Sequence, residues 1–203
     1  MQHPLQCSCG TVQGSVAIGR AVGRAVCYCR DCQSYAHALG DPRAILDADG
    51  GTDVAPTLQQ GVAITRGLDA IACLSLTDKG LLRWYARCCK TPLGNTARDW
   101  RLSYIGVLHT CLGGSAERLD AAFGPVRVHI NTQWAQRKIA AQPFAAVAFV
   151  ARLAPRIIRA SLDGGYRRSP LFDAGGRPIV RVDVLSSAEL ARIRQAIRRR
   201  AAD

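Results

Sequence analysis

The chain has 203 residues, of which 48% are hydrophobic and 21% charged, a balance that supports one globular domain or one domain with an appendage. A membrane-spanning helix needs about 20 uninterrupted apolar residues, and none is present. The nearest stretch, Phe144 to Ile158, is broken by Arg152, Pro155 and Arg156.

The start, MQHPLQCSCG, has no basic segment followed by an apolar one, so no secretory signal is read and a cytoplasmic location is expected. The formal net charge is +12. Residues 1–150 carry 15 Lys and Arg against 10 Asp and Glu, giving +5, and residues 151–203 carry 12 Arg against 5 acids, giving +7. Such a tail suits anionic partners, whether nucleic acid, a membrane surface or a small anion. A solvated basic surface is the plainer alternative. Nine cysteines cannot all pair, and in a reducing compartment clustered thiols point to metal or redox chemistry.

From Thr11 to about Ile130 the chain reads as short strands between turn signals. The runs TVQGSVAI, GVAIT, AIACLSL, LLRWY, LSYIGVL and VRVHI are β-rich, and Gly50-Gly51, Asp78-Lys79-Gly80, Gly113-Gly114 and Gly124-Pro125 punctuate them. Their spacing predicts an antiparallel sheet, sandwich-like or tent-like. Asp31 to Leu39 has room for one or two helical turns, and His3 sits near a terminus expected to fray.

After Asn131 the pattern turns helical. Phe144 to Leu162 predicts a helix kinked or broken at Pro155. It is expected to pack through Phe144, Val147, Leu153 and Ile157, leaving Arg152, Arg156 and Arg159 as a basic stripe facing solvent. The last helix is announced by a capping box of Ser186 and Glu189, followed by Leu190, Ile193 and Ile197 on one face. The expected organisation is a cysteine-rich β domain over 1–132 and a basic helical extension over 133–203. The fold class is α+β, mainly antiparallel β.

The cysteines fall as Cys7-Ser-Cys9-Gly, Cys27-Tyr-Cys29-Arg-Asp-Cys32 and Cys88-Cys89, with Cys73 and Cys111 alone. Zinc prefers thiolates in tetrahedral array, and closely spaced cysteines in turns let one loop supply several ligands. A C-x-C-x-x-C triplet fills three corners and leaves the fourth for water or substrate. Cys7 and Cys9 are half a site and need a distant pair, for which Cys88 and Cys89 are the evident source. The lone Cys73 and Cys111 read as buried apolar residues. Arg30 and Lys90 flank ligand cysteines, where a cation lowers thiol pKa values or attracts an anion. His37, five residues past Cys32, is a lesser site candidate. Trp84 and Trp100 read as core.

Together, Cys7-Ser-Cys9-Gly, Cys27-Tyr-Cys29-Arg-Asp-Cys32 and Cys89-Lys-Thr-Pro-Leu resemble the glutathione-dependent formaldehyde-activating enzyme family, which includes centromere protein V. The resemblance covers roughly residues 5–110. It implies a β-tent fold with two zinc ions. Cys7 and Cys9 would join the later pair in a structural site, and Cys27, Cys29 and Cys32 would hold a catalytic zinc near which glutathione binds. The family's C-x-x-C-G-T has Ala86 at its first cysteine and Lys90 at its glycine here. Adjacent cysteines diverge in extended backbone, so the second site has three open forms: Cys7, Cys9 and Cys89 with Cys88, the same three with a non-cysteine ligand, or no metal.

Three readings follow. The first is a zinc-dependent carbon–sulfur lyase acting on a thiol–aldehyde adduct, with Arg30 near the substrate. The second is a non-catalytic zinc module that docks on nucleic acid or an anionic surface through its basic tail. The third, a redox protein using Cys88-Cys89, is the weakest, since vicinal disulfides are strained.

Overall fold

The structure, a computed structural model, describes residues 1–113 and 115–200. A three-stranded antiparallel sheet is built from β1 (Gln2–Gln6), β2 (Gln13–Ala17) and β5 (Val62–Arg66), in the order β1-β2-β5. The larger sheet has eight strands: β3 (Arg24–Cys27), β4 (Thr52–Thr57), β6 (Ile71–Ser75), β7 (Leu82–Ala86), β8 (Pro92–Thr96), β9 (Ile105–Leu108), β10 (Val126–Ile130) and β11 (Val182–Val184). Their order is β10-β3-β4-β9-β8-β7-β6-β11. The inner pairs are antiparallel, and only the two edge strands, β10 on β3 and β11 on β6, run parallel to their neighbours. Four α-helices among the described residues complete the chain: α1 (Arg30–Ala38), α2 (Ala116–Phe123), α3 (Pro143–Leu162) and α4 (Ser187–Arg200). The fold is α+β and mainly antiparallel, and α4 closes its C-terminal side.

Alternation along the strands divides the core in two. Leu82, Trp84 and Ala86 of β7 face the small sheet, with Leu5, Val16 and Val62 opposite. Trp84 is fully buried, and its indole N–H donates to Thr96 Oγ1 at 2.9 Å, so the ring is buried without an orphaned donor. Trp100 is partly buried against the same cluster, and Cys73 and Cys111 are buried within it. The opposite face, carrying Val54, Leu74, Tyr85 and Leu108, is covered by Tyr35 and Ala36 of α1 and by Phe149 and Leu153 of α3. The helix carrying two of the triplet cysteines thus lies directly on the sheet. α4 packs on α1, where Arg194 donates to Asp31 at 2.9 Å.

The tail departs from expectation in three ways. α3 continues unbroken through Pro155. It packs through Phe149, Leu153, Ala160 and the partly buried Ile157, whereas Phe144 and Val147 face solvent. Apolar residues surround α3, so periodicity alone does not select the packing face. The expected basic stripe holds: Arg152, Arg156 and Arg159 are exposed. Finally, the tail supplies the edge strand β11. At the other terminus His3 is not frayed. It lies in β1, its Nε2 is 2.7 Å from Leu112 O, and its ring meets Phe123 edge-on.

Candidate metal centres

The first cysteine group forms where two turns meet. Between β1 and β2 the chain reverses through Gly10, whose φ of 77° glycine adopts freely, and the Gly10 N–H donates to Cys7 O at 2.9 Å. This turn presents Cys7 and Cys9. After β7 a second turn over residues 87–89, closed by Lys90 at φ 58°, presents Cys88 and Cys89. Because the backbone there is turned and not extended, the adjacent side chains do not diverge: their sulfurs are 3.8 Å apart. Cys9 Sγ lies 3.2 Å from Cys88 Sγ and 3.5 Å from Cys7 Sγ, and all four sulfurs fall within 4.8 Å of one another. A tetrahedral zinc at ~2.3 Å from each sulfur calls for separations of about 3.8 Å, so four thiolates so placed can hold a metal ion. Ala86, two residues before Cys88, is buried in the core.

Hydroxyls brace this group. Thr91 Oγ1 accepts from Ser8 N–H at 3.0 Å and lies 3.1 Å from Cys89 Sγ, and Thr11 Oγ1 lies 3.2 Å from Cys9 Sγ. Burial pushes the Cys89 thiol up, but hydrogen bonds from Ser8, Thr91 and the Cys9 backbone outweigh it and hold it at about 5. The bond from Thr11 likewise lowers Cys9. Thr91 belongs to the quoted Cys89-Lys-Thr-Pro-Leu motif, whereas Thr11 was not singled out in the sequence; each stands two residues past a ligand cysteine.

The second group sits at the end of β3 and the start of α1. Cys27 is the last residue of β3, Cys29 is the N-cap of α1, and Cys32 lies in its first turn. Cys29 Sγ accepts the Cys32 N–H at 3.3 Å, doing for the helix what a serine or threonine cap usually does. Their three sulfurs also lie within 4.8 Å of one another, and among the described residues no fourth His, Cys, Asp or Glu joins them. Asn131 Nδ2 donates to Cys27 Sγ at 3.5 Å from a residue in left-handed backbone, φ 57°. The Cys27 and Cys32 thiols donate to Cys29, and with the Arg83 guanidinium they hold it far below the ordinary thiol range. The same sharing raises Cys27 and Cys32. The triplet thus sits at a helix N-terminus, whose dipole favours negative charge on its sulfurs.

The other flagged residues fall outside these groups. The Arg30 guanidinium is stacked on Trp134, 3.5 Å from the ring centroid, and Lys90 Nζ is 5.2 Å from the Tyr85 ring. His37 lines a separate cavity with Gln33, Pro42 and Asp47.

A model of DUF6151, a family of unknown function, matches residues 1–183. The chain belongs to that family. No curated protein matches this DUF6151 member. Among solved structures, the crystal structure of a Rhodobacter sphaeroides protein is similar at 20% identity and a TM-score of 0.41, covering 64% of this chain and 99% of that one.

Proposed function

We propose that this DUF6151 protein is a zinc protein with one closed and one open site, and that the open site acts on a thiol–aldehyde adduct as a carbon–sulfur lyase. One observation carries the proposal: four sulfurs converge in one group, whereas only three converge in the other. Four thiolates saturate a tetrahedral ion and suit a structural site; three leave a corner for a ligand. The likeness of the cysteine pattern to glutathione-dependent formaldehyde-activating enzymes supports the reaction class.

Bound at the triplet, zinc would supply a Lewis-acid corner with affinity for sulfur. The chain's own contribution is orientation. β3 fixes Cys27, the α1 cap fixes Cys29, and the first turn of α1 fixes Cys32. Asn131 adds a donor to Cys27. In the reaction a hydroxymethyl thioether separates into thiol and formaldehyde. The electrons of the C–S bond stay with sulfur, the hydroxyl proton moves to it, and the carbonyl forms.

Freshly purified protein should contain two zinc ions per chain. Cys29→Ser keeps a competent helix cap, so it should fold normally and lose one ion. Glutathione binding and turnover of its formaldehyde adduct should disappear with that ion. A wild-type protein loaded with two zinc ions that binds no thiol would refute the lyase.

A second reading has a different observation behind it. α3 exposes an apolar stripe of Phe144, Val147, Ile158 and Leu162, bordered by Arg152 and Arg159. A zinc module that docks on an anionic membrane surface through this helix would use both features.

A further inference from the structure

On the side of the large sheet that faces α1, three buried side chains have polar atoms without a hydrogen-bond partner: Thr52 Oγ1, Asn95 Oδ1, and Nε and Nη1 of Arg83. The strand register puts them on one face. Arg83 pairs with Asn95, Asn95 with Gly106, and Thr52 with Cys27 of the triplet. Arg83 alternates with Leu82 and Trp84, which point into the other core, and so shares the side of Tyr85 and Tyr35.

Arg83 is only 3% exposed and Asn95 6%, and Arg83 takes part in no ion pair among the described residues. Its guanidinium carbon lies 5.2 Å from the centre of the Tyr35 ring. Tyr35 follows Cys32 by three residues, one turn along the buried side of α1. The guanidinium therefore lies beneath the helix that carries two of the three sulfurs. The Tyr104 hydroxyl extends over Gly106, 2.7 Å from where a β-carbon would stand there. Burial and the Cys32 and Cys27 sulfurs push that hydroxyl up to about 12, while Arg83 opposes them. Triplet, Tyr104 and Arg83 thus share one electrostatic environment.

A guanidinium buried without a carboxylate is costly, and buried donors are almost always satisfied. A planar fork of donors matches the paired oxygens of a carboxylate or a phosphate, and of these a carboxylate is the one commonly carried by small thiols. We propose that Arg83 is the anion receptor of the triplet site and binds a carboxylate carried by the ligand of that site. The orphaned Asn95 Oδ1, an acceptor, takes an N–H or O–H of the same ligand. The receptor deepens the thiol reading and rests on it only for the ligand's sulfur; the carboxylate half is testable alone.

The experiment uses the zinc-loaded full chain with 3-mercaptopropionate, 2-mercaptoethanol and propionate, followed by calorimetry and thermal shift. Wild type should bind 3-mercaptopropionate at least about tenfold tighter than 2-mercaptoethanol, a conservative figure for one charge-assisted pair, and propionate alone should raise its melting temperature. Arg83→Met, compared with wild type at equal zinc loading, should lose both effects and no longer distinguish the two thiols, with a ligand-free melting temperature no lower than wild type. Arg83→Lys, which keeps the charge without the fork, should fall between. Equal binding of the two thiols by wild type, without stabilisation by propionate, would overturn the receptor and leave the open corner intact. Propionate stabilising wild type but not Arg83→Met, with neither thiol bound, would keep the receptor and remove the thiol reading. Zinc lost from Arg83→Met, with no carboxylate preference in wild type, would overturn the receptor and make Arg83 the counter-ion of the metal–thiolate centre.

Discussion

Lys90 occupies left-handed backbone, φ 58°, where an L side chain is disfavoured by roughly 1–2 kcal/mol. Its conformation closes the turn that swings Cys88 and Cys89 toward the hairpin bearing Cys7 and Cys9. A strained non-glycine residue beside four converging thiols is explained if the group is worth more than the strain. Metal ligation supplies such a term, because the energy of metal binding is also folding energy. Cys9→Ser should therefore lower the zinc content from two to one and lower the melting temperature measurably. Unchanged zinc and an unchanged melting temperature would mean that these are free thiols. At this scale the sequence was legible where chemistry clusters along the chain: Cys27, Cys29 and Cys32 are close in space because they are close in sequence. It was misleading at Cys88, since two adjacent cysteines read as divergent until the turn is known. Arg83 could not be read at all. It stands in an apolar strand run, LLRWY, and its burial comes from the packing of α1 on that face of the sheet, which no local pattern announces.

At the scale of elements, Arg24 binds three of them together. From β3 its guanidinium reaches Asp53 of β4, with Nε 3.1 Å from Oδ2, and also Asp120 of α2. Both Arg24 and Asp53 are largely buried, whereas the Asp120 carboxylate is half exposed. Removing one partner of a buried pair leaves an uncompensated charge, so Asp53→Ala should cost about 3 kcal/mol. Asp120→Ala should cost under about 1 kcal/mol, because water can replace an exposed partner. Denaturant titration of both variants checks the order, and equal losses would show that burial does not govern the pair. These contacts join residues 24, 53 and 120, and no local pattern announces them. What was local was readable. The six β-rich runs all contain strands, α1 lies within a residue of its expected span, and α4 begins at its capping box, where Glu189 N–H donates to Ser186 Oγ at 3.2 Å and Ser186 N–H to Glu189 Oε2 at 2.9 Å. β1, β3, β4 and β8 lie outside those runs and were not called, and α2 and β11 were missed for opposite reasons. α2 is a short helix inside a segment dominated by strands, and β11 is three residues whose strand character comes from pairing with β6.

For the molecule as a whole, the open question is what the outer side of α3 meets. Phe144 is 90% exposed and Leu162 84%, and between them Val147, Ala151, Pro155 and Ile158 follow at helical spacing on the same side. Arg152 and Arg159 flank the stripe, and Arg156 is tied back to the carbonyls of Arg20 and Ala21 at 3.2 and 3.0 Å. A second copy of the chain would bring the same cations and another +12 against these arginines, which disfavours self-association through this helix. An anionic bilayer answers both features, taking the apolar stripe into its interface and the arginines into its headgroups, at about 1 kcal/mol for each cation near the surface. The protein should therefore sediment with phosphatidylserine-containing vesicles and not with purely zwitterionic ones, and high salt should release it. Replacing both Phe144 and Leu162 with Asp should reduce binding at least tenfold, since about 1.5–3 kcal/mol attends each buried side chain of that size. Zinc content should not change, because α3 supplies none of the seven clustered sulfurs. Equal binding to both kinds of vesicle would remove the role of the arginines. Absence of binding, together with a concentration-dependent dimer that the same double substitution dissolves, would assign the stripe to a second copy instead.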